Sequence, residues 1–307
     1  MKNGGRDMKK GKRTIYRLIT PVAVFAVLTI ISAGIAFGGN LSEVKERGVL
    51  RHLGVPYAHF VTGSGDGMDV EMVRLFAGYL GVRYEYVRTS WGEVIGDLTG
   101  RKVKPRGDNV DIIGTVPVKG DIIANGFTIL PWRQKVVNYG TPTFPTQVWL
   151  VVRGDSPIKP IKPGGDIEKD IVAVKELLDG RSVIGVAGTC LDPNLYGIKE
   201  AGAKITLFHG NLNELAPVLI KGEIDAILLD VPDTLVALEK WPGRIKVVGP
   251  ISPRQEMGCG FARTSPELRG AFNRFFEECR KDGTYLRIVK KYYPDVFYYY
   301  PDFFKER

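Results

Sequence analysis

Arg133 is the residue whose setting most constrains its chemistry. It follows Thr128 by five residues in Asn125-Gly-Phe-Thr-Ile-Leu-Pro-Trp-Arg-Gln-Lys-Val-Val137, and apolar pairs stand on both sides, Ile122-Ile123 and Val136-Val137. A guanidinium held among buried apolar residues needs an anion, because an unpaired buried charge is costly. Its planar fork matches a carboxylate through two parallel hydrogen bonds. Two partners are open. The carboxylate of a bound small molecule would make Arg133 a clamp; Asp121 or Asp97 would make it a structural salt bridge.

Other chemistry is sparse. No Ser-His-Asp arrangement is visible, and the cysteines, Cys190, Cys259 and Cys279, match no zinc spacing. In an exported chain Cys259 and Cys279 could pair, which leaves one thiol over; otherwise all three are small buried hydrophobes. Gly185-x-x-Gly188 has the wrong spacing for a dinucleotide fingerprint. No metal site and no cofactor are expected.

The 307 residues are 44% hydrophobic and 25% charged, an ordinary globular balance with length enough for two domains. The start differs. Lys2, Arg6, Lys9, Lys10, Lys12, Arg13 and Arg17 precede an apolar run from Pro21 to Phe37, with small residues around Ala33–Gly39. This pattern predicts a secretory signal peptide over residues 1–38 and a periplasmic product, with an uncleaved membrane anchor as the alternative. Seven basic residues against one aspartate put +6 of the chain's +9 in this segment and leave +3 for the remainder. That balance excludes a nucleic-acid footprint, which needs a basic stripe or patch.

The elements that must position Arg133 alternate. Leu41–Arg47 reads as a helix stopped by Gly48, Val49–Val55 as a strand, Asp69–Leu80 as a helix with Met72, Val73, Phe76 and Leu80 on one face, and Val82–Val87 as a strand. Trp91–Leu98 reads as a short helix. Val110–Gly114 and Gly120–Ala124 echo each other and predict a hairpin insertion near residues 100–119. Beyond a strand at Gln147–Val152, helices over 166–178, from Gly188-Thr189 toward Glu200, and over 212–220 and 232–239 alternate with strands at 182–186, 204–208, 225–229 and 244–248. A short strand at 257–262 and two helices, 265–281 and 284–292, end the series before a ring-rich tail. Strands alternating with helices predict an α/β fold.

The order of these pieces resembles the family 3 extracellular solute-binding proteins, the periplasmic receptors of polar amino-acid ABC transporters. The resemblance runs from Leu41 to Pro294. It rests on Leu41-Ser-Glu-Val-Lys-Glu-Arg-Gly-Val-Leu-Arg51, Gly67-Met-Asp-Val-Glu-Met-Val73, the Phe127–Val137 segment set against the family's Thr-Ile-Thr-x-x-Arg clamp, Gly222-Glu-Ile-Asp-Ala-Ile-Leu-Leu-Asp230, and Asp282–Tyr292. It implies a two-lobed, type II Venus-flytrap architecture with a ligand cleft. Residues 39–149 with 252–307 would form one lobe and 150–251 the other, closing by a hinge motion.

The resemblance also implies roles. Arg133 would hold the α-carboxylate of an amino acid, with a hydroxyl and backbone donor from Thr128 and close backbone approach at Gly126. Thr189, at a helix start, would grip the same carboxylate from the other lobe. Asp230 would pair with the α-ammonium, or else only cap a helix at Pro232. Tyr57 and Phe60 would form the apolar wall, while Trp91 and Trp132 would pack. The implied partner is an ABC transporter permease, and the implied state a monomer. Leu130 replaces the clamp's second Thr, and Tyr139-Gly-Thr-Pro-Thr143 departs from the segment usual after it. Two other functions fit the scaffold: a cyclohexadienyl-dehydratase-like enzyme, with His59, His209 and Glu214 as proton carriers, and a membrane-anchored sensing domain.

Overall fold

The computed structural model describes Met1, residues 39–63 and residues 65–305. The predicted signal peptide, residues 2–38, lies outside the described residues. Residues 39–305 belong to one compact unit, Ala36–Arg307.

The first half of the unit comprises α1 (Leu41–Arg47), β1 (Val49–Gly54), α2 (Met68–Leu80), β2 (Arg83–Arg88), α3 (Val94–Thr99), β3 (Arg101–Arg106), β4 (Asn109–Thr115), β5 (Ile122–Ile123), α4 (Pro131–Gln134), β6 (Val137–Tyr139) and β7 (Phe144–Thr146). The chain continues through β8 (Val148–Arg153), α5 (Ile167–Lys175), β9 (Ser182–Gly185), β10 (Lys204–Leu207), α6 (Leu215–Lys221), β11 (Ala226–Asp230), α7 (Val231–Lys240) and β12 (Ile245–Pro250). It closes with β13 (Gln255–Met257), β14 (Gly260–Ala262), α8 (Pro266–Lys281), α9 (Thr284–Tyr292), α10 (Val296–Tyr299) and α11 (Pro301–Lys305).

Two five-stranded sheets carry the architecture, ordered β2-β1-β5-β14-β6 and β10-β9-β11-β8-β12. β1 runs parallel to β2 and β5, and β9 parallel to β10 and β11, which requires crossover connections between them. The chain passes between the sheets at two places, β7 and β13, which pair antiparallel with Gln255 opposite Thr146 and Met257 opposite Phe144. This two-stranded ribbon joins the two halves of a two-lobed fold. β8 and β11, buried along almost their whole length, form the centre of the second sheet, in keeping with their continuous Val, Ile and Leu runs.

Local chemistry fixes the ends. Asn40 accepts the Glu43 N–H while Glu43 reaches back to the Asn40 N–H, and Gly48 closes α1 at φ +67. Two expectations change. The hairpin pairs β3 with β4, not the two echoed segments: Gly107 (φ +57) and Asp108 turn the chain tightly, while Ile122-Ile123 enters the first sheet beside His52-Leu53. The helix expected from Gly188 to Glu200 is a series of turns with one 3-10 turn, Pro193–Leu195. Gly188 and Gly197, both left-handed, break that stretch. Cys259 and Cys279 are both buried and free, so the pairing considered for them is absent; Cys190 is free as well.

The tail folds back across the ribbon. Tyr299 packs on Trp149 of β8 (5.8 Å between ring centres), and Phe304 packs on Phe144 of β7 (6.5 Å) and Tyr285 of α9 (6.3 Å). The Tyr300 hydroxyl donates to Gln147 Oε1 at 3.4 Å, and Arg254 stacks over the Tyr300 ring.

Candidate functional site

Arg133 owes its position to a single helical turn. Pro131 starts α4 at the place where a missing N–H costs nothing, and the turn points the guanidinium back at its own segment. Nη1 donates to the Thr128 carbonyl at 3.0 Å. The segment is itself tied to the ribbon, since Ile129 N–H donates to the Glu256 carbonyl and Gly258 N–H to that of Phe127. Rings surround the guanidinium: Phe127 at 4.3 Å, Trp132 at 5.3 Å and Trp91 at 5.8 Å. Arg133 is 2% exposed, and its Nε has no hydrogen-bond partner.

The salt-bridge reading finds no support. Asp121 is taken by Arg47 and Arg51, and Asp97 by Lys119 and the Thr89 hydroxyl. Among the described residues no carboxylate pairs with Arg133.

Asp230 ends β11 on the other sheet and is 1% exposed. It caps α7 by accepting the Asp233 N–H at 3.3 Å. It also accepts from the Tyr57 hydroxyl, across the gap between the sheets. The Cys190 thiol lies 3.5 Å from its second oxygen. Burial pushes the Asp230 carboxyl up to about 6, although the hydrogen bonds from Tyr57, Asp233 and Cys190 pull the other way. No cation pairs with it among the described residues. Capping and a contact across the gap thus coexist in one side chain.

Two more contacts cross the gap. Ala58 N–H donates to Asn213 Oδ1 at 3.0 Å, and Arg133 Nη2 to the Gly188 carbonyl at 3.4 Å. Arg133, Tyr57, Thr128, Cys190 and Asp230 are thereby gathered between the sheets.

The other expected residues fall in different settings. The Thr128 hydroxyl is buried beside the Cys190 thiol, while its carbonyl accepts from Arg133 and from the Tyr139 hydroxyl. The Thr189 hydroxyl is engaged in its own turn, donating to the Val186 carbonyl and accepting the Leu191 N–H. Phe60 stands one layer behind Tyr57, packed against Phe144 and Tyr293. Gly126 is required by space: at φ +65 a Cβ would sit 2.5 Å from Phe60 Cδ2, and its N–H donates to buried Asp69 at 2.7 Å. His59 bonds through Nδ1 to the Tyr292 carbonyl, and His209 and Glu214 are exposed.

Sequence reasoning passed over three residues. Cys190 read as a small hydrophobe, yet it lies beside Asp230. Trp91 read as packing, yet its indole N–H is buried and unpaired and its ring meets both Tyr57 and Arg133. Asp233, one helical turn beyond Asp230, has a buried oxygen without a partner. The Asp-x-x-Asp spacing at the end of a buried strand was the signal available for the last.

Comparisons with known proteins show what the chain is similar to. The chain is 26% identical over 280 residues to the L-cystine-binding protein TcyJ of Escherichia coli, covering 90% of this chain and 93% of that one. It is 26% identical over 234 residues to membrane-bound lytic murein transglycosylase F of Desulfosudis oleivorans, covering 75% of this chain but only 44% of the relative's length. A mutant of the T. maritima protein ArgBP superposes with a TM-score of 0.65 at 25% identity, covering 83% of this chain and 99% of that one. The family model of the bacterial extracellular solute-binding proteins, family 3, matches residues 114–295. With more than half of its length inside that match, the chain belongs to the bacterial extracellular solute-binding proteins, family 3.

Proposed function

We propose that this protein is an extracytoplasmic receptor that captures an amino acid between its lobes and delivers it to an ABC transporter permease. One observation carries the reading. Arg133 and Asp230 are opposite charges, both buried, on either side of the gap between the sheets, and neither has a counter-charge among the described residues. A zwitterion supplies both counter-charges at once, and each buried charge then gains a partner.

In this reading residues 39–149 with 252–307 form one lobe and 150–251 the other, turning about β7 and β13. The α-carboxylate lies against Arg133 and the Thr128 hydroxyl, with the Trp91 indole N–H in reach of the same end. The α-ammonium lies against Asp230 and displaces the Tyr57 hydroxyl, whose ring then flanks the ligand. Gly126 keeps the clamp loop close, and Phe60 backs Tyr57. Thr189 acts by shaping the turn that presents Gly188 and Cys190.

Native mass spectrometry of protein purified without refolding tests the reading. An amino acid should be released on denaturation, and calorimetry should show that it rebinds one to one. Recovery of a chemically converted product after incubation would favour an enzyme. Absence of binding by every amino acid would remove the receptor reading.

A further inference from the structure

The β3–β4 hairpin packs on one face only. Along β3, Val103 and Pro105 are half-buried while Arg101, Lys102, Lys104 and Arg106 are exposed. Across the ribbon Pro105 pairs with Val110, the half-buried residue of β4. A two-stranded hairpin is marginally stable by itself, so the inner face of Val103, Pro105 and Val110 needs other elements to rest on. The base is rooted beside the first sheet, where α3 meets β3 and the Val116 N–H donates to the Gly100 carbonyl at 3.0 Å.

The tip lies against the candidate site. β4 runs alongside α4, the turn that carries Arg133. The Lys135 ammonium, one residue past that turn, donates to Asn109 Oδ1 near the tip. On the opposite strand, Pro105 Cγ stands 3.9 Å from the place that a Cβ on Gly188 would occupy. Gly188 belongs to the other half of the molecule, and its carbonyl is the one that accepts from Arg133 Nη2. The Gly188 N–H donates to Asp192 Oδ2 at 3.1 Å, which holds the turn it presents. The hairpin thus touches both sides of the Arg133–Gly188 contact. It grows from the first half, braces the helical turn of the arginine and ends against the second half.

We propose that the β3–β4 hairpin is a lid over the Arg133 end of the cleft, seated on Gly188 when the two halves are together and lifted from it when they part. The inference goes beyond the receptor reading: it concerns access to Arg133, whatever the cleft holds. Arg133 is 2% exposed with the lid seated, and breaking the Pro105–Gly188 and Lys135–Asn109 contacts opens the way to its guanidinium.

Phenylglyoxal, which reacts with accessible guanidinium groups, is the probe, and peptide mass mapping gives its rate at each arginine of the full chain. Two variants remove the seat. One replaces residues 103–113 by Asn-Gly, a two-residue turn between Lys102 and Gly114. The other, Pro105→Gly with Asn109→Ala, keeps the hairpin and removes its two contacts. Arg133 should react about 10-fold faster in the shortened chain, the equivalent of about 1.4 kcal/mol less holding the cleft shut, and about 3-fold faster in the point variant. Arg47 and Arg51, both paired with Asp121, should keep their rates; where the shortened chain loosens throughout, the point variant decides. An unchanged rate at Arg133 in the point variant would overturn the proposal. So would a rise there that Arg47 and Arg51 share, because that is loosening of the whole lobe. No amino acid enters this experiment, so its failure leaves the receptor reading standing, and failure of every amino acid to bind leaves the lid standing.

Discussion

Arg133 and Asp230 meet at one turn without touching each other. The Gly188 carbonyl accepts from Arg133 at 3.4 Å, and two residues later the Cys190 sulfur lies 3.5 Å from Asp230. The segment 188–190 is thus read by a cation from one side of the gap and an anion from the other.

Removing either charge should cost binding rather than folding. Loss of one partner of a buried charged pair costs about 2–5 kcal/mol, so Arg133→Ala should weaken amino-acid binding roughly 30-fold to several thousand-fold. Asp230→Asn should do the same for an amino acid and far less for its deaminated analogue, which brings no ammonium. Titration of both ligands against both variants is the measurement. Equal losses for the two ligands in Asp230→Asn would make that acid purely structural.

Binding should strengthen as pH rises through about 6. Burial raises the Asp230 carboxyl to about 6 and that of Asp233 well above the ordinary carboxylate range, with the Tyr57 hydroxyl and Cys190 thiol facing Asp230. An ammonium pairs with the ionised carboxylate, so binding expels a proton. Calorimetry in two buffers of different ionisation enthalpy should show that release. The sign for stability is opposite: the folded, empty protein holds the Asp230 proton that the unfolded chain releases near 3.8, so this contribution is present below 3.8 and lost as pH rises through about 6.

Acid should destabilise the first lobe through His52. Its Nε2 donates to the Ala124 carbonyl at 2.5 Å, which leaves Nδ1 to accept from the Tyr84 hydroxyl at 2.8 Å. Burial lowers its pKa from 6.5 to about 4. The neutral ring therefore contributes stability that is full above 6.5 and lost as pH falls toward 4, about 3 kcal/mol at most. Denaturant unfolding at pH 7 and pH 4.5 should show a smaller pH dependence for His52→Gln; an unchanged slope would refute the assignment.

Gly126→Ala should destabilise the protein by roughly 2–4 kcal/mol, the sum of left-handed backbone strain and overpacking against Phe60. Thermal unfolding reads this directly. Surviving protein should also bind less well, because the clamp segment begins at the next residue but one.

Where local chemistry governs, the sequence was readable. Gly48 stops α1 as expected, and the apolar face of α2 is the buried one. The burial of Arg133 was legible because an arginine among Ile122, Ile123, Val136 and Val137 has few uses. The hairpin was misread because Val110–Gly114 and Ile122-Ile123 share a pattern; only the tight turn at Gly107-Asp108 and the parallel seat beside β1 separate them. The helix after Thr189 failed because the threonine hydroxyl serves its own turn, a use indistinguishable in sequence from a helix cap. Cys190 and Asp233 were hidden for a different reason: their significance comes from Asp230 and its surroundings, which only the folded chain supplies.

The tail has an optical consequence. Trp149 donates its indole N–H to Gln147 Oε1, the same oxygen that receives the Tyr300 hydroxyl, and its ring faces Tyr299. It therefore sits beside the β7–β13 ribbon, held on one side by residues whose neighbour Phe304 is anchored on α9. Any bend between the sheets must change what surrounds that indole. If the lobes close on a ligand, as the receptor reading holds, Trp149 is the indole placed to report that motion without an added dye.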